Sequence, residues 1–168
     1  IPRVVELNPD GRLLQSPVPE IQQLRRDHFE RVNLHVNDES VRLGAIDSDL
    51  IEVQAKIDPG TAKHFGLNVR VSPDRTRMVS VICDGQHLTI AGETLPATPM
   101  KDETTLRLHV FLDQHCMEVF VNDWLVYTES IVGSPPTDTA VELFAEGGDM
   151  VVKRVDVWRL ASIYPFKG

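Results

Sequence analysis

The chain has 168 residues, 42% of them hydrophobic and 25% charged, the proportions of one ordinary globular domain plus a short extension. That is long enough to hold a core without disulfides or metal. With 25 acids against 17 bases the formal net charge is -8, which argues against nucleic acid and against anionic lipid, since both need Lys and Arg in excess on one surface. No apolar run approaches the roughly 18 residues of a membrane helix, so neither nucleic acid nor a membrane is an expected partner.

In chain order, residues 1–26 read as a connector. This stretch carries Pro2, Pro9, Pro17 and Pro19, a turn at Asn8-Pro9-Asp10-Gly11, and a short helical stretch from Pro19 to Arg26 with proline and acid first and base last. Ile1-Pro2-Arg3 lacks a basic-then-apolar signal pattern, and a chain starting at Ile is expected to be part of something longer. Residues 27–168 are expected to form a single β domain. Strands are predicted at 31–36, 50–57, 65–71, 77–83, 87–90, 105–112, 117–121, 124–129, 140–145 and 150–160, separated by turn formers such as Asp58-Pro59-Gly60, Ser72-Pro73-Asp74 and Gly147-Gly148-Asp149. Many short strands with little helix mean an all-β sandwich or barrel.

One hairpin register follows from strand alternation. Leu106, Leu108, Val110 and Leu112 share one face, and Met117, Val119 and Val121 share one face of the next strand. Setting Leu112 opposite Met117, Val110 opposite Val119 and Leu108 opposite Val121 keeps the apolar rows together; a one-residue slip would set Val110 against Glu118. A two-residue Asn122-Asp123 turn would then pair Val121 with Trp124 and Val119 with Val126. The opposite face carries Phe111, Phe120 and, on a later strand, Phe144, among His109, Glu118 and Glu142. Three phenylalanines need cover, either from the chain's own loops and flanking segments or from a second domain or partner, which makes them candidate interface residues.

The search for chemistry returns little. Cys83 and Cys116 have no paired zinc spacing and are expected as free thiols, with a disulfide as the alternative. The six histidines show no two-His spacing on a helix, and there is neither a G-x-S-x-G elbow nor a phosphate-cradling glycine loop. The acids read as solvated faces and turns, with no pair marked as the two-carboxylate arrangement that glycoside cleavage needs. No catalytic residue, metal ligand or cofactor is therefore assigned.

The segment Leu106-Arg107-Leu108-His109-Val110-Phe111-Leu112-Asp113 followed by Met117-Glu118-Val119-Phe120-Val121-Asn122-Asp123 resembles the L-R-x-F-x-D-x-S-x-x-E-V-F-V-N-D signature of the C-terminal domain of family 32 glycoside hydrolases, the invertase, levanase and inulinase group. Val141-Glu142-Leu143-Phe144-Ala145-Glu146-Gly147-Gly148 and Val155-Asp156-Val157-Trp158 resemble the family's last two strands. Residues 1–3 and 11–20 resemble the end of its catalytic propeller and the linker leaving it. The resemblance implies a two-sheet antiparallel β-sandwich of the concanavalin A-like, jelly-roll kind, joined to a five-bladed β-propeller that hydrolyses or transfers β-fructosyl units with an aspartate nucleophile and a glutamate acid/base. Those residues belong to propeller motifs W-M-N-D-P-N-G, R-D-P and E-C, none of which occurs here; Arg26-Asp27-His28 is not R-D-P.

The expected role is thus a non-catalytic module that supports the propeller or mediates domain or dimer contacts, inactive as an enzyme by itself. The alternative is a lectin-like module for fructan or another glycan, with Trp124 as the candidate carbohydrate contact, although its register points it toward the core.

Overall fold

The computed structural model describes residues 1–44, 46, 48–95, 100 and 103–162. A hairpin of β1 (Arg3–Leu7) and β2 (Leu13–Pro17) leads through a 3-10 turn (Pro19–Leu24) into β3 (Arg25–Asn37), β4 (Ser40–Leu43), β5 (Leu50–Asp58), β6 (His64–Val71), β7 (Val79–Cys83), β8 (Leu88–Ile90) and β9 (Glu93–Leu95). Then come β10 (Leu106–Asp113), β11 (Cys116–Val121), β12 (Leu125–Ser130), β13 (Ala140–Glu146) and β14 (Asp149–Leu160). Two six-stranded antiparallel sheets result, ordered β12-β11-β10-β5-β14-β3 and β4-β13-β6-β7-β8-β9, and the expected two-sheet sandwich is the fold found.

Alternation explains how the sheets face each other. The first sheet turns Leu108, Val110, Val119, Val53 and Val157 inward, and the second answers with Leu67, Val81, Ile90 and Leu143, all at most 2% exposed. At β14 the inward positions change parity, from Met150 and Val152 to Val155 and Val157, because the register with β5 shifts between Val152 and Arg154. That bulge lets one long strand keep apolar residues inside at both ends. β6 and β7 approach so closely at Gly66 that a Cβ there would collide with the Val81 carbonyl oxygen.

The β10–β11 register is the one expected, with Leu112 opposite Met117, Val110 opposite Val119 and Leu108 opposite Val121. The next turn corrects the sequence reading: Val121 pairs with Leu125 and Val119 with Tyr127, leaving a three-residue loop. Asn122 and Asp123 both adopt left-handed backbone (φ 50° and 64°), and Asn122 Oδ1 accepts the Arg107 amide at 2.8 Å. Trp124 becomes an extra residue, drawn aside from the ladder rather than aimed with Val121 into the core.

The connector-like start also holds more structure than its prolines suggest. β1 and β2 flank the turn read at Asn8-Pro9-Asp10-Gly11, and the Gln15 amide donates to the Asp123 carbonyl at 2.7 Å. β4 and β9, of four and three residues, were also unforeseen. β3 starts at Arg25, so the expected boundary between residues 26 and 27 falls inside a strand.

Candidate functional site

The outer face of the first sheet gathers its chemistry from strands far apart in sequence. Cross-strand pairing sets Arg107 beside Lys56 and Lys56 beside Arg154; one step along, His109 lies beside Gln54 and Gln54 beside Asp156; a further step sets Phe111 beside Glu52 and Glu52 beside Trp158. Each of these side chains points away from the core because its inward neighbours are the valines and leucines just described.

Glu52 is the hub. It is fully buried, and its carboxylate accepts from Arg25 Nε at 2.8 Å and Nη2 at 2.6 Å, from His109 Nε2 at 2.7 Å and from Gln54 Nε2 at 3.0 Å. Because His109 Nε2 donates to Glu52, its 3.2 Å contact with Gln54 Nε2 sets two donors together and is not a second hydrogen bond. Burial pushes the Glu52 pKa up, but the hydrogen bonds and charges of Arg25 and His109 outweigh it and hold the group at about 2. The Arg25 guanidinium also lies 3.8 Å from the Trp158 ring centre, and His28 stacks on that ring at 4.8 Å.

Other buried outward acids follow the same rule of one arginine each. Glu118 is held by Arg3, Glu142 by Arg75 at 2.9 Å, Asp138 by Arg77 at 3.0 Å and Asp156 by Arg154 at 2.6 Å. His28, Glu30 and Asp156 come within metal-ligand reach of one another. Arg154 already engages both Asp156 oxygens and lies 3.1 Å from Glu30, so the ligand atoms are spent on a guanidinium.

The three phenylalanines expected at an interface are enclosed by the chain itself: Phe111 and Phe144 are 5% exposed and Phe120 is 2%. Phe120 lies under the Arg3 guanidinium, 5.5 Å from it, and meets Phe111 edge-on at 6.2 Å, so the flanking segment supplies the cover. Phe144 sits on the second sheet beside Gly66, and the structure does not bring it together with the other two. Trp124 is half-buried with Arg12 5.2 Å from its ring centre and with Nε1 buried and unpartnered among the described residues, so its indole is no open sugar platform. Both cysteines are free, Cys83 in the core with burial pushing its thiol up to about 11, and Cys116 exposed at the β11 start.

Two hollows remain. A polar cavity of about 260 Å³ is lined by Gln54, Lys56, Arg107, His109, Phe120 and Asp156, among others. A wider, more apolar groove of about 700 Å³ lies between Ile1-Pro2, the 3-10 turn at Ile21 and Leu24, Phe111, and Leu160. Sequence reasoning missed both, together with Glu52; their lining comes from strands separated by tens of residues, and the local pattern carried no signal for them.

Comparison with known proteins agrees with this architecture. The family model described as "Glycosyl hydrolases family 32 C terminal" matches residues 20–159. A levanase of Bacillus subtilis (strain 168) is 27% identical over 98% of this chain, which spans 27% of that protein. A sucrose-6-phosphate hydrolase of Escherichia coli is 24% identical over 90% of this chain and 32% of its own length. Among solved structures, fructan 1-exohydrolase IIa from Cichorium intybus superposes with a TM-score of 0.79 at 13% identity, covering 96% of this chain and 40% of that one. Exo-inulinase from Aspergillus awamori gives 0.78 at 18% identity, covering 96% and 35%. The chain thus spans between about a quarter and two-fifths of the length of these relatives. With the family model spanning most of its length and the fold shared with these solved structures, this chain belongs to the C-terminal domain family of the family 32 glycosyl hydrolases.

Proposed function

We propose that the chain is a non-catalytic module that docks against a β-propeller catalytic domain of the same parent protein and holds it in place. The observation that carries this reading is the apolar groove. It is formed where the first residues, the 3-10 turn and the end of β14 converge, so a domain joined through the connector would lie over Ile21, Leu24 and Leu160. An exposed apolar hollow of this kind is normally an interaction site. The outward carboxylates support a structural role: Glu52, Glu118 and Asp156 are each occupied by arginine, and none is left as a free acid or nucleophile.

The test is reconstitution in trans. Purified propeller domain from the parent should bind this chain and melt at a higher temperature in its presence, and the pair Ile21→Asp with Leu24→Asp should abolish both effects while the isolated sandwich stays folded. Docking that survives those charges would remove the groove from the account. The chain alone should release no fructose from sucrose, inulin or levan; turnover that follows the protein through purification would overturn the non-catalytic reading.

A further inference from the structure

Arg107, Lys56 and Arg154 stand abreast on β10, β5 and β14, each directly opposite the next. Like charges side by side repel, so such a row needs compensation. The outer two have it: Arg107 lies 3.3 Å from Glu103 and 3.2 Å from Asp123, and Arg154 lies 2.6 Å from Asp156 and 3.1 Å from Glu30. Lys56, between them, has no acid partner among the described residues and is exposed.

This balance selects the ligand. Three cations stand against the four carboxylates that pair with the two arginines, which leaves no surplus for an anion, and the three cations discourage a positively charged guest. Donors and acceptors instead alternate around the cavity. Lys56 offers an unpaired ammonium, Asp123, which meets Arg107 through one carboxylate oxygen, keeps acceptor sites, and Gln54, whose Nε2 is turned to Glu52, leaves its Oε1 as an acceptor. A hydroxyl both donates and accepts, so a ring bearing several hydroxyls fits such a lining better than any ion. Phe120 adds the apolar part of the wall. At about 260 Å³ the hollow is just below the usual range for drug-sized ligands, which suits a single ring.

We propose that this cavity binds one uncharged sugar ring, as a free monosaccharide or as the terminal residue of a glycan. The site shares no lining residue with the apolar groove, so it stands or falls independently of domain docking. It also moves glycan recognition from Trp124 to the other side of Phe120's strand pair, onto the sheet face itself.

The probe is a backbone-amide NMR titration of this chain with fructose, a short β-fructan and inorganic phosphate. Either neutral sugar should give saturable shifts confined to residues around 54–56, 107–109, 120 and 154–156, with a Kd of order 1 mM for one ring in an open site. Lys56→Glu places a carboxylate between the two arginines, where they can close on it. That variant should melt no lower than the parent yet bind sugar about tenfold more weakly, the effect of losing one charge-assisted hydrogen bond. Lys56→Arg should retain binding. No saturable response to either sugar, stronger shifts with phosphate than with sugar, or sugar binding untouched by Lys56→Glu would each overturn the proposal.

Discussion

The two faces of the first sheet are built from the same strands by opposite means. Inward, stability comes from short apolar side chains, Val110 against Val119 and Val53, whose contacts are set by register alone. Outward, the same strands bury Glu52, Glu118 and Asp156, each made tolerable by cationic or histidine partners: Arg25 and His109 for Glu52, Arg3 and the Ile1 ammonium for Glu118, and Arg154 of the same strand with His28 of β3 for Asp156. The inner face resists loss of shape and the outer face resists loss of a partner, because an apolar contact degrades gradually whereas a buried charge left alone keeps its whole desolvation cost.

The strongest break of this contrast is Val119→Asp, which puts an unpaired carboxylate at a fully buried inward position inside the hydrophobic cluster. Its cost of several kcal/mol is comparable with the roughly 5–15 kcal/mol that stabilise a typical domain, so the variant should be unfolded or nearly so by circular dichroism and urea titration. Next is Glu52→Ala, which strands Arg25 and His109. Since the Arg25 side chain keeps 20% exposure and can turn to water, the loss should be about 3 kcal/mol, the low end for breaking a buried pair. Urea midpoints would measure it.

Acid sharpens the same point. The Glu52 pKa lies at about 2 in the folded chain against an ordinary 4.5, so its contribution is complete above pH 4.5 and is lost as the pH falls toward 2. The stability difference between the parent and Glu52→Gln should therefore be constant near neutrality and shrink across that window. A difference that stays constant down to pH 2 would mean Glu52 is not held ionised by its partners. Smaller still is Glu118→Ala, which frees Arg3 and loosens the segment over Phe120 without opening the core. A loss of about 1 kcal/mol is expected, together with faster amide exchange confined to β1 and β2.

The same division separates what could be read in the sequence from what could not. Leu108, Val110 and Val119 announce their partners because alternation is local and only one register keeps the rows together. Tyr127 rather than Val126 faces Val119 because a loop of three residues, fixed by left-handed Asn122 and Asp123, is not distinguished by composition from a loop of two. The β1–β2 hairpin was hidden by its prolines, although Pro17 sits at the last position of its strand, where a missing N–H does little harm. Glu52 looked like one acid among many, since Arg25 and His109 lie 27 and 57 positions away. Lys56 gave no sign of a site because its neighbours Arg107 and Arg154 belong to strands that only the sheet brings beside it.

The start of β3 and the end of β14 have a mechanical consequence. Arg25 and Leu160 are paired, and the Ala161 amide donates to the Leu24 carbonyl at 2.8 Å, so the chain comes into the sheet and leaves it at one rung. Tension between those two points would load the β3–β14 ladder one hydrogen-bonded pair at a time, as a zipper, rather than all pairs together in shear. The Arg25–Glu52 clamp and the Arg159–Asp27 pair, 2.7 Å apart, sit at the teeth that would open first. The force at which the sandwich yields is therefore set by a few residues at that corner, and much less by its core.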